Sequence, residues 1–265
     1  MRLEGAYVNS VPRHMSPAQG RTIPLSLPRR WVGDLLAFSQ RVPTVAGEKI
    51  LRLRPLMEAR RSANYRPSWC ALVTKSFGIV SSRIPELRRS YLGFPYPRLY
   101  EHAVSVAAIA VNREFQGEPA VFMGLMQAPE NRSLREIDAH LVELTKGPHG
   151  EIGCYRRLIR TTRLPRPIRR LLWWYGLCVD GKQKSCIFGT FSVNSTASMR
   201  FQVRQFVTPI TSTLYYSSVG ANGDMPVQMA IDHRVFDGVT VGRAFAELEK
   251  VLTKDMVAEI SGAQE

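Results

Sequence analysis

The stretch that most constrains this chain lies near its C-terminus, where three patterns follow one another without a break. Met225 to Ile231 is an apolar run. Asp232-His233-Arg234-Val235-Phe236-Asp237-Gly238 is mostly polar and ends on a turn-forming glycine. Val239 to Leu252 then carries Val241, Phe245, Leu248 and Leu252 on one stripe. This order predicts a buried strand turning sharply into an amphipathic helix. Such a unit needs both a sheet and a helical layer to cover it, so the expectation is an α/β domain. The turn also gathers a titratable base, a carboxylate and a glycine. A histidine near neutral pH can take a proton from a hydroxyl, thiol or amine as that atom attacks a carbonyl. Asp237 can orient the ring directly or, through an arginine, brace the turn that carries it, with Gly238 allowing the tight geometry.

The preceding chain interleaves strands and helices with no internal repeat or linker. Pro24 to Arg30 reads as an extended basic lead-in and Trp31 to Gln40 as a short helix. Val42 to Leu53 reads as extended and Pro55 to Asn64 as helical. Ser68 to Arg83 has the spacing of an amphipathic helix. Arg88 to Leu92 and Leu99 to Tyr100 are short extended pieces, and Ala103 to Arg113 and Pro119 to Leu125 are strands. Ser133 followed by Glu136 is a capping-box signature that opens a helix over 133–145. Gly147 to Lys184 shows no clear period and is read as irregular. Ile187 to Asn194, Phe206 to Ile210, Thr213 to Val219 and Pro226 to Ile231 read as strands.

A length of 265 residues with 45% apolar content suffices for one well-buried core without a staple. The four cysteines, Cys70, Cys154, Cys178 and Cys186, lack CxxC spacing, which argues against a zinc site and a secreted disulfide framework and for a reducing cytoplasm. No signal-peptide core opens the chain, and the longest apolar run, Leu171 to Val179, is roughly half a membrane span. A soluble protein is expected, with residues 1–21 as an N-terminal arm, 22–253 as a single domain and 254–265 as a tail. The net charge of +14 attracts anions, whether nucleic acid, anionic lipid, an acidic carrier protein or a phosphorylated cofactor, and charge alone does not choose among them.

Residues 230–243, AIDHRVFDGVTVGR, resemble the terminal motif of the catalytic domain of 2-oxoacid dehydrogenase acyltransferases, DHRxxDG, and of chloramphenicol acetyltransferase, HxxxDG. Upstream, Gly189-Thr190-Phe191-Ser192-Val193-Asn194 is similar to the GTFTxSN strand of the acyltransferases. Phe206 to Gly220 is similar to their FxPI…VG stretch. Thr74 to Leu87, Ile109-Ala110-Val111 and Ser133 to Ile137 resemble further elements in the same order, so the likeness spans about residues 22–253. Gly147 to Lys184 departs most.

The resemblance implies a chloramphenicol acetyltransferase-like fold: two layers, with a mixed, mostly antiparallel sheet flanked by helices. It also implies a homotrimer with active sites at subunit interfaces. The implied reaction is acyl transfer from a thioester, coenzyme A or acyl carrier protein, to a hydroxyl, amine or thiol acceptor by direct attack. No cofactor is tightly bound in that reading. His233 would be the general base, and Asp237 would be structural, pairing with Arg30 or Arg29. The family's oxyanion-stabilising hydroxyl falls here on Asn194, with Ser195 next to it; either can donate to an oxyanion. The lipoyl and subunit-binding domains of the oxoacid dehydrogenase enzymes have no room before residue 22, which favours a stand-alone enzyme. A non-catalytic trimeric scaffold or lipid- or membrane-binding relative is the alternative.

Arg156, Arg157, Arg160, Arg163, Arg166, Arg169 and Arg170 crowd ahead of Leu171-Leu172-Trp173-Trp174-Tyr175. Arg166, Arg169, Arg170, Trp173, Trp174 and, further on, Tyr215 are the candidate contacts to phosphates or to an acyl chain, with a lipid-like acceptor or a membrane surface as further partners. The alternative is a helix pair burying the tryptophans while arginines face water. Basic and aromatic residues form blocks and do not interleave, so no nucleic-acid partner is expected. His14, His102, His140 and His149 have no ligand-spaced partners, and no metal site is expected.

Overall fold

The computed structural model describes residues 20–195, 197 and 207–262. In chain order the elements are α1 (Leu27–Ser39), β1 (Thr44–Arg52), α2 (Arg54–Ser62), α3 (Trp69–Arg83), β2 (Arg89–Leu92) and β3 (Arg98–Glu101). They continue with β4 (Val106–Phe115), β5 (Glu118–Gln127), α4 (Leu134–Lys146), α5 (Gly153–Thr162), α6 (Arg166–Cys178) and α7 (Gly181–Phe188). The last are β6 (Phe191–Ser195), β7 (Ser212–Tyr216), β8 (Asp224–Asp232), α8 (Gly238–Lys250) and α9 (Met256–Gly262), with a π-helical turn between α8 and α9.

Six strands form one sheet in the order β1-β8-β7-β6-β4-β5, and β2 and β3 pair separately. The β1–β8, β7–β8 and β4–β5 ladders are antiparallel, and β4–β6 and β6–β7 are parallel. This is the mixed, mostly antiparallel sheet with flanking helices expected from the sequence. Side chains alternate across it. On β6, Phe191 points to α3 and packs edge-on against Phe77, with ring centroids 4.9 Å apart. Ser192 and Asn194 point to the opposite side.

The helix α3 is more central than its amphipathic spacing suggests, being buried around most of its circumference from Ala71 to Ser81. Its start is fixed by Ser68, whose Oγ accepts from Ala71 N at 3.0 Å while Ser68 N donates to Asp138 on α4 at 3.0 Å. Its one buried amine, Lys75, pairs with Glu259 of α9 at 2.6 Å. The expected capping box at Ser133 and Glu136 is present.

Four local expectations are corrected. The lead-in at Pro24 to Arg30 is not extended throughout: Ser26 caps α1, accepting from Arg29 N, and Pro28 sits in the first turn, where its missing N–H costs nothing. Residues 207–210 are a bent loop, with Phe206 outside the described residues. The expected tail contains α9, whose Met256 and Ile260 join the core. Residues 147–184, read as irregular, fold almost wholly into α5, α6 and the first half of α7. The buried stripe of α6 runs Arg169, Trp173, Gly176 and Leu177, so an arginine and a glycine stand where apolar residues would have revealed the helical period.

That buried arginine explains how the α5–α7 segment is fastened. Asp34, on α1, is 1% exposed; it accepts charge-assisted bonds from Arg169 Nε and, at 3.4 Å, from Arg169 Nη2, and the Arg170 guanidinium lies in ion-pair contact with it at 2.7 Å. Phe38 stacks on Trp173, with centroids 5.9 Å apart, completing a small satellite core with Leu177. Removing one partner of a buried ion pair leaves the other charge without compensation. Asp34→Ala is therefore expected to lower unfolding stability by about 3–5 kcal/mol, measured by urea denaturation; a loss below about 1 kcal/mol, the level of an exposed pair, would show that the clamp contributes little.

Candidate active site

The turn after β8 is built from its own polar groups. Asp232 is buried, and its carboxylate holds Arg234 through three bonds: from the backbone N–H at 3.1 Å, from Nε at 2.8 Å and from Nη2 at 2.7 Å. The Arg234 guanidinium lies 4.1 Å from the centroid of the Tyr91 ring. Val235 N donates to Asp232 O at 2.9 Å, and Phe236 is buried behind the turn. Asp237 caps α8, its Oδ1 accepting from Val239 N at 3.1 Å and Thr240 N at 3.2 Å. Gly238 is the first residue of that helix. His233 is exposed; its backbone N–H donates to Pro43 O at 3.1 Å, and its ring has no hydrogen-bond partner among the described residues.

The second group of candidates lies elsewhere. A cavity of about 520 Å³ occupies the sheet face away from α3, walled by α1, α5, α6 and α7. Its polar floor is a chain of side-chain bonds. Asn194 Nδ2 donates to Ser192 Oγ at 3.4 Å, Ser192 Oγ to Thr213 Oγ1 at 2.9 Å, and Thr213 Oγ1 to Thr208 Oγ1 at 2.8 Å. Tyr215 and Trp173 also line this cavity. Ser195, the neighbour of Asn194, turns to the other face; its Oγ donates to Tyr216 O at 3.2 Å and accepts from Ala197 N at 3.2 Å.

The ladders set the separation of these two groups. Asn194 pairs with Tyr215, and Tyr215 pairs with Gln228, so Asn194 stands two strands away from β8 and level with Gln228. The strand spacing and rise put Asp232, four residues beyond Gln228, roughly 16 Å from Asn194. His233 is not among the residues lining the cavity. One chain therefore brings Asn194, Tyr215 and Trp173 together and keeps His233 and Asp237 apart from them.

The remaining candidates sit as follows. Arg30 Nε donates to Leu25 O at 3.0 Å, and neither Arg29 nor Arg30 makes an ion pair with Asp237 among the described residues. Arg169 and Arg170 are occupied by Asp34. Arg166 is exposed at the start of α6, and Trp174 packs against Phe94 with centroids 5.2 Å apart. No group of histidine, cysteine and acidic residues placed to hold a metal occurs among the described residues. Nor is any helix among them long and apolar enough to cross a membrane.

The sequence reading missed Lys184. It lies beneath the turn on α7, 3% exposed, and Nζ donates to Tyr91 O at 3.0 Å. The signal that could have found its helix is Asp180, whose carboxylate caps α7 by accepting from Lys182 N at 2.8 Å and Gln183 N at 3.2 Å. Burial pushes the Lys184 amine down to about 8, against the pull of the nearby Asp232 carboxylate. Burial, with Lys184 and Arg88 nearby, likewise lowers the His102 ring to about 4; its Nε2 meets Ser90 Oγ at 3.0 Å.

The chain has the fold of the catalytic domains of 2-oxoacid dehydrogenase acyltransferases. A Listeria monocytogenes protein assigned as a dihydrolipoamide acetyltransferase is similar at TM-score 0.62 and 18% identity, covering 90% of this chain and 96% of its own. The Azotobacter vinelandii dihydrolipoamide acetyltransferase, studied for the role of a serine, a histidine and an asparagine in its catalytic mechanism, is similar at TM-score 0.64 and 14% identity, with 94% and 99% covered. The cubic core of a pyruvate dehydrogenase multienzyme complex gives the same four figures, TM-score 0.64, 14% identity, and 94% and 99% coverage. No family model matches the chain, and no curated protein matches it.

The Lys184 environment predicts a pH dependence. Between about 8 and its ordinary 10.5, the unfolded chain holds the proton on this amine and the folded chain does not, so stability gains a rising component with pH over that window. Below about 8 the buried charge carries its full cost. Lys184→Met lacks the slope, so the stability of the wild type relative to this variant is expected to increase from about pH 7.5 to about pH 10, read by urea denaturation. A constant difference would mean that the amine is solvated.

Proposed function

We propose that this chain is a thioester-dependent acyltransferase that acts as a homotrimer, with each active site shared between neighbouring subunits. The observation that carries this reading is the separation of roughly 16 Å between the His233 turn and Asn194, fixed by sheet register. Two functional groups held apart on one rigid sheet meet across an interface between copies, as a closed cyclic assembly permits. The similarity to the cubic core of a multienzyme complex supports self-association. The mechanism studied in the Azotobacter vinelandii relative involves a histidine and an asparagine four positions apart, the spacing of His233 and Asp237.

In this reading the acceptor's hydroxyl, amine or thiol attacks the thioester carbonyl while the His233 imidazole removes its proton. The carbonyl π electrons move to oxygen, and the Asn194 amide of the neighbouring subunit donates to that oxyanion, exchanging its long bond to Ser192 for a charge-assisted one. Collapse of the tetrahedral species expels the thiolate, which takes the proton from the imidazolium. No acyl-enzyme forms. Asp237 positions the turn by capping α8. The donor is coenzyme A or an acyl carrier protein, which the charge of +14 would attract. Four cysteines without disulfide partners suit a reducing cytoplasm.

His233→Ala is expected to reduce kcat by about 10²–10⁴-fold and Asn194→Ala by about 10²–10³-fold, while Ser195→Ala stays within about threefold of wild type, since its hydroxyl faces away from the cavity. Sedimentation should give trimers for all three variants. Co-expressing the His233→Ala and Asn194→Ala chains should restore activity, because mixed trimers contain interfaces with both groups intact. Mixed trimers without activity would mean that the two residues do not share a site.

A further inference from the structure

The cavity over the sheet is apolar apart from its floor and one end. Among its lining residues Arg157 is the one charged side chain. Arg157 and Thr161 also belong to an adjoining basic hollow, lined with Gly153, Arg156 and Arg160 along α5. Arg157 Nη1 donates to Cys186 O at 2.8 Å, which holds this arginine at the junction of the two spaces. Arg156 and Arg160 have no carboxylate within ion-pair distance among the described residues, whereas Arg169 and Arg170 on α6 are neutralised by Asp34. The apolar space is also open: Val121 and Leu172, on its wall, are 49% and 45% exposed.

We infer that this compound site binds an amphiphile, with a long apolar chain lying across the sheet between α6 and β5 and a phosphate head held by Arg156, Arg157 and Arg160. At about 30 Å³ per methylene-sized unit, taken as comparable to a water molecule, the cavity's 520 Å³ accommodates a chain of up to about 17 carbons. Burial of the chain supplies affinity in proportion to its apolar area, and the guanidinium groups fix the head by charge-assisted bonds. The floor chain ending at Asn194 borders the same space, so the bound molecule lies against the proposed oxyanion donor. Its role as a substrate rests on the acyl-transfer reading; its binding does not.

Calorimetric titration of the full chain with decyl phosphate, decyl maltoside, inorganic phosphate and decanoyl-coenzyme A tests this without turnover. Decyl phosphate should bind once per chain and more tightly than either decyl maltoside or inorganic phosphate. The double variant Arg156→Gln/Arg160→Gln should weaken decyl phosphate by about tenfold or more and leave decyl maltoside unchanged. Leu172→Glu, at an exposed wall position that tolerates a charge, should weaken both decyl compounds. Competition by decanoyl-coenzyme A that is lost in the arginine variant would identify the amphiphile with the acyl donor; absence of competition would identify it with a phosphate-headed lipid. Failure of decyl phosphate to bind, indifference to the arginine variant, or equal affinity for inorganic phosphate would each overturn the inference. Loss of activity in His233→Ala alongside such a failure would leave acyl transfer standing with a polar substrate.

Discussion

The ladder hydrogen bonds of β8 are the constraint on which the rest of the structure depends. This strand pairs with β1 over its whole length and with β7 over its second half, and β7 in turn holds β6. Because side chains alternate with a period of two, a slip of one residue in any of these ladders would exchange the faces of every side chain beyond it. Asn194 reaches the cavity and Ser195 reaches Tyr216 for this reason alone. The same ladders bring the end of β8 alongside Pro43 at the start of β1, where the backbone of His233 is anchored. The catalytic candidates are thus positioned by backbone pairing deep in the sheet, and their own side-chain contacts refine that placement.

Much of this was legible in the sequence because it rests on local rules. The strand-to-helix unit at 225–252 follows from apolar patterning with a carboxylate and glycine between, and the cap at Ser133 follows from its partner Glu136. The antiparallel pair β4–β5 at one edge of the sheet was visible as two apolar runs around a short polar break. What was illegible depended on tertiary partners. Arg169 reads as a surface charge until Asp34, 135 residues earlier, is known to lie beside it. The loop at 207–210 has β-branched residues on either side of Pro209, which has no N–H to give a ladder. That Asn194 lines the cavity and Ser195 does not follows from the register, which no single segment encodes.

The α5–α7 segment shows how a charge-rich stretch can join a core. Its arginines divide into two populations with different physics. Arg169 and Arg170 are neutralised by a buried carboxylate and serve as a fastening, while Arg156 and Arg160 are exposed and make no ion pair among the described residues. Sequence alone presents one basic cluster, and burial separates it into parts. The tryptophans divide in the same way: Trp173 packs with Phe38 and Phe188 at the cavity wall, and Trp174 meets Phe94 beside the β2–β3 ribbon.

One oxygen of the Asp237 carboxylate is taken up by the start of α8, where it accepts two backbone N–H groups. Nothing in that task needs a negative charge beyond its modest attraction to the helix dipole, and asparagine caps helices about as well as aspartate. An asparagine at this position would keep both bonds and the turn. The residue four positions after His233 thus fixes where the next helix begins.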